Sequence, residues 1–230
     1  MCVNKEVSLI LFIMGVLTTI KLIYKGYTNP KLFNIYILTA VFVFTVSIMQ
    51  LLEYILWINQ ECNQTNTIIS YLIPLTLIIQ PISYFLTADY LGTIKKYRLL
   101  LYFFSILLFV LFLVNVLYIY PNLENKLCSL KDEKSCRLEW NSITESWDHS
   151  KILVVTVGVL YFLIYLFVSL GYKGSKIQYK NKMIGNFINY SVILAFISSL
   201  IYSFSTNKNN IISINGSFFC FLVIIIVIIV

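Results

Sequence analysis

A carboxylate occurs inside one of the most apolar stretches of the chain, at Glu53 in SIMQLLEYILWI, residues 47–58. A carboxylate within a bilayer costs about 2–3 kcal/mol on insertion scales, so such a residue usually faces a partner or a wet cavity. The position of Glu53 is therefore consistent with a binding site for a ligand, a proton or a cation. It is also consistent with a hydrogen bond that holds two helices together. At about 100° per helical residue, one face collects the polar and aromatic side chains Ser47, Gln50, Glu53, Tyr54 and Trp57.

A second polar position follows at Gln80, which precedes Pro81 in LIIQPISYF. Proline inside a helix removes one backbone hydrogen bond, and this predicts a kinked helix. Because lipid cannot satisfy polar groups, both polar faces are expected to turn toward neighbouring helices. We predict a candidate polar pocket near the outer mouth of the protein, formed by Gln50, Glu53, Trp57, Gln80 and Asn215.

The elements that must hold these residues are apolar helices. Of the 230 residues, 59% are hydrophobic and 12% are charged, against about a quarter charged in soluble domains. A hydrocarbon core needs roughly 20 apolar helical residues to cross it. The chain is predicted to be all-α, a polytopic transmembrane bundle of about seven helices in a single integral membrane domain, residues 1–230. The helices are expected near residues 7–24, 32–58, 68–87, 99–120, 152–171, 186–204 and 211–230, with an outer loop at 121–150. The first segment is predicted to be a retained helix, since no small-x-small cleavage site follows it.

The formal net charge of +7 belongs to the loops. Alternate loops carry Lys25, Lys31, Lys95, Lys96, Arg98, Lys173, Lys176, Lys180 and Lys182. The opposite short loops, NQECNQTNT and STNKNN, contain a single basic residue, Lys208. The positive-inside rule then predicts an N-out, C-in topology, and the charge is not attributed to nucleic-acid binding.

Three cysteines fall on the predicted outer side, Cys62 before the third helix and Cys128 and Cys136 in the long loop. That side is oxidising if the protein passes through a secretory pathway. The sequence does not choose between a Cys128–Cys136 bridge, a bridge from Cys62, and unpaired thiols. Asn63, in the sequon Asn63–Gln64–Thr65, is a candidate glycosylation site on the same side.

The chain lacks the residues that several classes of function require. Residues 211–230 contain no lysine for a retinal Schiff base, and a chain with one histidine cannot build a zinc site of several histidines. Walker A, dinucleotide and GxSxG motifs are absent, so no enzyme, metal or cofactor is predicted. A receptor-like seven-helix protein is a weaker alternative, because Asp89 is followed by Tyr90 with no arginine between them.

Four short motifs occur in order along the chain: SIMQLLEYILWINQ, IPLTLIIQPISYF, LEWNSI and INGSFFCFLVII. Together they resemble a family of uncharacterised multi-pass membrane proteins of giant DNA viruses (mimivirus-like). The matching residues are Gln50, Glu53, Trp57, Gln80, Pro81, Trp140, Gly216, Ser217 and Cys220. The chain departs from that family at Phe218, Phe219 and Phe221, where tryptophan is expected. The resemblance implies a viral protein of a host or virion membrane and brings no activity with it.

The sequence therefore predicts a multi-pass integral membrane protein of unknown activity. One hypothesis is binding or transport of a small polar or cationic solute, with Glu53 as the counter-charge. The alternative is a structural or interaction protein of a viral or host membrane, in which Glu53 and Gln80 only hold helices together. The expected partners are the lipid bilayer, a small polar solute and a second copy of the chain in a homo-oligomer.

Overall fold

The computed structural model of the protein describes residues 4–122, 127–132, 137–140 and 151–171. This part of the chain is mostly helical, as predicted. Its elements are α1 (Lys5–Thr28), α2 (Phe33–Ile58), α3 (Gln64–Tyr90), α4 (Arg98–Val114), β1 (Leu130–Asp132), β2 (Arg137–Glu139) and α5 (Lys151–Gly171). The predicted helices at 186–204 and 211–230 lie outside the described residues, as do Asn215 and Cys136.

Among the described residues, four helical stretches are long and apolar enough to cross a membrane: Lys5–Thr28, Pro30–Ile58, Gln64–Tyr90 and Arg98–Asn122. The last one continues α4 through a π-helical turn, Asn115–Ile119, and a short 3-10 turn. Within the most apolar 18-residue window, α1 and α4 are each 22% buried, whereas α2 is 61% and α3 is 56% buried. The bundle therefore has α2 and α3 at its centre, and α1 and α4 expose apolar faces.

Helix ends differ from the predicted segments where side chains cap the backbone. Asn63 Oδ1 accepts a hydrogen bond from the Asn66 backbone N–H at 2.9 Å, so α3 begins at Gln64, about one turn before the predicted start at 68. Asn4 caps α1 in the same way, with 3.0 Å to the Val7 N–H. Hydropathy detects the apolar part of a helix but not its polar first turn.

The close contact between α1 and α2 depends on a glycine. A Cβ atom placed on Gly15 would overlap the side chain of Ser47. The buried face of α1 continues through small and apolar residues at Ser8, Leu11 and Thr19. Small residues let two membrane helices approach closely, and this contact fixes the register of α1 against α2.

The loop predicted at 121–150 contains a β-hairpin that the sequence analysis missed. Its strands pair antiparallel, with Leu130 opposite Glu139. Each strand has three residues and lacks a β-branched side chain, so neither gives the alternating pattern by which strands are recognised. Both strands contact α2, while Leu138 and Trp140 are buried in the core. We call this end of the bundle, with the α2–α3 turn, the cap end, and the opposite end, with the α1–α2 and α3–α4 turns, the lysine end.

Candidate functional site

The centre of the candidate site is a hydrogen-bonded pair on α2. Gln50 Nε2 donates to Glu53 Oε2 at 3.0 Å, and the two side chains are 0% and 1% exposed. A carboxylate only accepts hydrogen bonds, so it orients the Gln50 amide with its nitrogen toward Glu53. Gln50 Oε1 consequently faces away, and it has no hydrogen-bond partner among the described residues.

A serine of α1 lies at the same level, and the sequence analysis missed it. Ser8 is seven residues before Gly15 and therefore on the same helix face, and Gly15 packs on Ser47. In an antiparallel pair this spacing puts Ser8 about level with Glu53. Ser8 is 0% exposed, and its Oγ has no partner in the described part of the chain. In the sequence, the available signal for this position was that the small residues Ser8 and Gly15 are seven positions apart and therefore share a helix face.

The rest of the predicted face on α2 has other roles. Ser47 Oγ donates to the carbonyl oxygen of Val43 at 2.6 Å, within its own helix. Trp57 is partly buried and packs against the hydrophobic core. Of the predicted pocket, the structure therefore brings Gln50 and Glu53 into direct contact. Ser8 of the neighbouring helix lies at about the level of Glu53.

Gln80 belongs to a different polar contact. Its Oε1 accepts a hydrogen bond from the Tyr161 hydroxyl of α5 at 2.8 Å. The ring pair Phe42–Tyr84, 5.6 Å between centroids, fixes the register of α2 against α3. By that register Gln80 lies near the level of Val46, seven residues and about 10 Å along the axis from Glu53. We therefore treat Gln80 and Tyr161 as a separate contact that joins α3 to α5.

The surroundings of the Gln80–Tyr161 bond are aromatic. Tyr161, Tyr165 and Tyr84 form a chain of rings with centroids 5.2 and 5.3 Å apart, and Phe42 contacts Tyr165 at 5.4 Å. Such ring contacts contribute about 0.5–1.5 kcal/mol each beyond the apolar area they bury. This cluster joins α2, α3 and α5 and gives the bundle a rigid centre on the lysine side of the candidate site.

Asn115 is a further buried polar residue that the sequence analysis did not select. It begins the π-helical turn after α4, is 8% exposed, and leaves Oδ1 without a partner among the described residues. The rings of Tyr71 and Tyr120 are in edge-to-face contact, with centroids 5.2 Å apart. This contact sets the register of α3 against the end of α4 and places Asn115 near the level of Thr76. A single asparagine within an apolar run was the available signal.

The cap end is closed by a covalent and hydrogen-bonded junction. Of the pairings that the sequence left open, the structure has a disulfide between Cys62 and Cys128, with Cα atoms 5.4 Å apart. Next to it, Asn66 Nδ2 donates to the Ser129 carbonyl at 3.0 Å, and the Ser129 N–H donates to Asn66 Oδ1 at 2.9 Å. The Lys131 N–H donates to Gln60 Oε1 at 2.8 Å. The segment leading into the hairpin is therefore fixed over the ends of α2 and α3.

Asn63 lies at the edge of this junction. It is exposed, next to Cys62, and its Oδ1 is used as the helix cap of α3. A glycan attaches through the side-chain nitrogen, which the cap does not use. Glycosylation at Asn63 remains a prediction.

Metal ligands do not assemble in the described ranges: no three His, Cys, Asp or Glu side chains come together there. The chemistry available at the site is instead that of oxygen acceptors. Gln50 Oε1 and the Glu53 carboxylate accept hydrogen bonds, and the Ser8 hydroxyl can donate or accept. Such a set suits a ligand that brings donors or positive charge.

The four membrane-length apolar helices of the described residues are compatible with a multi-pass integral membrane protein. Comparison with known proteins goes no further: no family model, no curated protein and no solved structure matches the chain.

Proposed function

We propose that the protein binds or transports a small polar or cationic solute at Ser8, Gln50 and Glu53, close to the cap end of a seven-helix, N-out and C-in bundle. The observation that carries this proposal is the orientation of Gln50. Its amide donates to a buried carboxylate and leaves Oε1 without a partner among the described residues. A buried polar group without a partner costs about 1–3 kcal/mol, and a ligand that donates to it recovers that cost.

The position of the pair supports access from the cap end. Glu53 lies five residues before Ile58, where α2 ends, and therefore about 8 Å along the axis from the end of the helix. The hairpin with Trp140 covers that end. A solute would enter between the hairpin and the ends of α1 and α2.

The proposed topology is supported by the distribution of charge. Lys25, Lys31, Lys95 and Lys96 are all exposed at the lysine end. Under the positive-inside rule this end faces the cytoplasmic side. The disulfide at the cap end is consistent with an oxidising compartment on the other side.

The experiment compares purified wild-type protein with Glu53→Gln and Glu53→Leu by thermal unfolding. The solutes are sodium, potassium, ammonium and choline chlorides at equal ionic strength. We expect at least one of them to raise the Tm of the wild type and to leave Glu53→Gln unchanged, because the neutral amide removes the counter-charge. Gln80→Met is the matched control: it removes a buried amide about 10 Å away along the helix axis and should preserve the shift.

The second candidate is a structural or interaction protein of a viral or host membrane. The close Gly15–Ser47 contact and the disulfide-linked cap favour it, since both serve rigidity. Under this alternative no solute shifts the wild type. If, in addition, Glu53→Leu is as stable as the wild type, the binding site is refuted. The viral location rests only on the motif resemblance, and a homo-oligomer would be formed through the exposed faces of α1 and α4.

A receptor-like role has less support. Asp89, at the end of α3, pairs with Arg98, nine residues later and at the start of α4. That pair joins the end of α3 to the start of α4. In a receptor of this class, the arginine would instead follow the acidic residue directly, at the end of the third helix. No enzymatic activity is proposed.

A further inference from the structure

The lysine end of the bundle carries a strong positive charge. In the described part of the chain its exposed basic residues are Lys21, Lys25, Lys31, Lys95, Lys96 and Arg98. The one acidic residue described at this end, Asp89, is paired with Arg98. The cap end differs, because there basic and acidic side chains are mixed, as at Lys5 beside Glu6.

A hydrogen bond joins the α1–α2 turn to the α3–α4 turn at this end, although the two turns are distant in sequence. Asn34, near the start of α2, donates from Nδ2 to the Leu91 carbonyl oxygen at 3.3 Å. The α3–α4 turn is shaped by Gly92, which has φ +65°, and by Thr93, whose hydroxyl donates to the Ala88 carbonyl at 2.7 Å. The α1–α2 turn, with Lys25 and Lys31 near it, and the α3–α4 turn, with Lys95 and Lys96, are therefore held at the same end of the bundle.

Arg98 is exposed but already has an acidic partner within the protein. Its Nε lies 2.8 Å from Asp89 Oδ1, and the Tyr102 hydroxyl donates to Asp89 Oδ2 at 2.7 Å. Lys21 lies about one turn further inside α1 than Lys25. The four lysines nearest this end are here called the lysine collar: Lys25, Lys31, Lys95 and Lys96.

Aromatic side chains surround the lysine collar. Tyr24, Tyr27 and Tyr90 are 68%, 71% and 91% exposed at this end. Tyrosines at the ends of membrane helices lie at the headgroup level, with an apolar ring and a polar hydroxyl. They place the collar in the layer where phospholipid phosphates lie.

We propose that the lysine collar binds the headgroups of anionic phospholipids in the leaflet that it faces. The ammonium groups are strongly hydrated point charges that suit phosphate and carboxylate oxygens, and the fixed turns avoid part of the entropy cost of ordering them. The structure offers no competing carboxylate in the described part of this end apart from the paired Asp89. This inference does not depend on a solute site at Glu53.

The test titrates the intact protein in neutral detergent micelles with dihexanoyl phosphatidylserine, and in parallel with dihexanoyl phosphatidylcholine, by thermal shift. We expect a Tm rise with the anionic lipid that weakens as salt increases. Lys95→Gln/Lys96→Gln should raise the apparent dissociation constant about 30-fold, from about 1 kcal/mol per lysine. Lys25→Gln/Lys31→Gln tests the same effect on the other turn.

The matched control is Lys5→Gln/Lys131→Gln, which removes two exposed lysines from the cap end and should leave the titration within about twofold. Inorganic phosphate at equal charge should produce no comparable shift. An equal response to phosphatidylcholine or to inorganic phosphate would overturn the proposal, and so would equal weakening by the cap-end control.

Discussion

At the scale of single residues, the most informative contact outside the site is that of Asp89. Its carboxylate is 9% exposed and binds Arg98 through one oxygen and Tyr102 through the other. The sequence showed the missing arginine after Asp89 but could not show that the partner is nine residues away, because a turn separates them. Pairing across a turn depends on backbone geometry that composition does not carry.

We predict that Asp89→Asn lowers stability by about 1 kcal/mol, a Tm decrease of about 2–4 °C. The amide keeps the shape of the side chain and loses the charge. The estimate is kept small because Arg98 is 58% exposed and solvent screens the pair. Thermal unfolding in detergent measures the effect. Lys131→Gln is the control, and an unchanged Tm in Asp89→Asn would show that the ion pair contributes nothing.

The candidate site was only partly predictable at this scale. Gln50 and Glu53 stand out in the sequence because polar residues are rare in apolar helices. Ser8 does not, because serine is common in membrane helices and its importance comes from the register set by Gly15. Gln80 was expected beside Glu53, but helical periodicity gives the face of a residue and not its depth relative to another helix.

At the scale of secondary-structure elements, the α1–α2 contact is the most sensitive to substitution. We predict that Gly15→Val destabilises the protein by about 1–3 kcal/mol, since the added side chain overlaps Ser47 and must separate the helices. The measurement is thermal unfolding, with the Glu53-dependent solute shift as a second readout. Separation of α1 should also weaken that shift, because Ser8 moves with the helix.

Gly158 in α5 supplies the matched control for this prediction. A Cβ there meets nothing within 4 Å, so Gly158→Ala should be neutral or slightly stabilising. If Gly15→Val behaved like Gly158→Ala, the close approach of α1 to α2 would be disproved.

The helices themselves were predictable because their apolar lengths match the thickness of a bilayer. The ends of the helices were less predictable, as the early start of α3 at Gln64 shows. The position of that start depends on one polar side chain, Asn63, which caps the helix. The hairpin escaped prediction altogether. Its strands are held by the Cys62–Cys128 bridge and by the burial of Leu138 and Trp140, which are contacts between distant parts of the chain.

At the scale of the whole molecule, the disulfide decides how the cap is held. We predict that reduction, or the double substitution Cys62→Ser/Cys128→Ser, lowers stability by about 2–4 kcal/mol, because the bridge closes a loop of 66 residues. Thermal unfolding with and without dithiothreitol measures this. The double variant should show no further response to dithiothreitol, and a wild-type Tm unaffected by reduction would contradict the prediction.

The hydrogen bonds of Asn66 and Ser129 should keep part of the cap in place after reduction. They are buried and independent of the sulfur atoms. Reduction is therefore expected to loosen the cap more than the bundle, whose centre is held by the aromatic contacts of Phe42, Tyr84 and Tyr165.

The separation of the two bridged cysteines also sets an order of events during synthesis. Cys128 follows Cys62 by 66 residues, and α3 and α4 lie between them. At about 5–20 residues per second, the ribosome needs roughly 3–13 s to add that length. During that interval Cys128 is not yet available to Cys62, while α3 and α4 are synthesised. The cap can be closed only after α2, α3 and α4 have been translated, and α5 is added later.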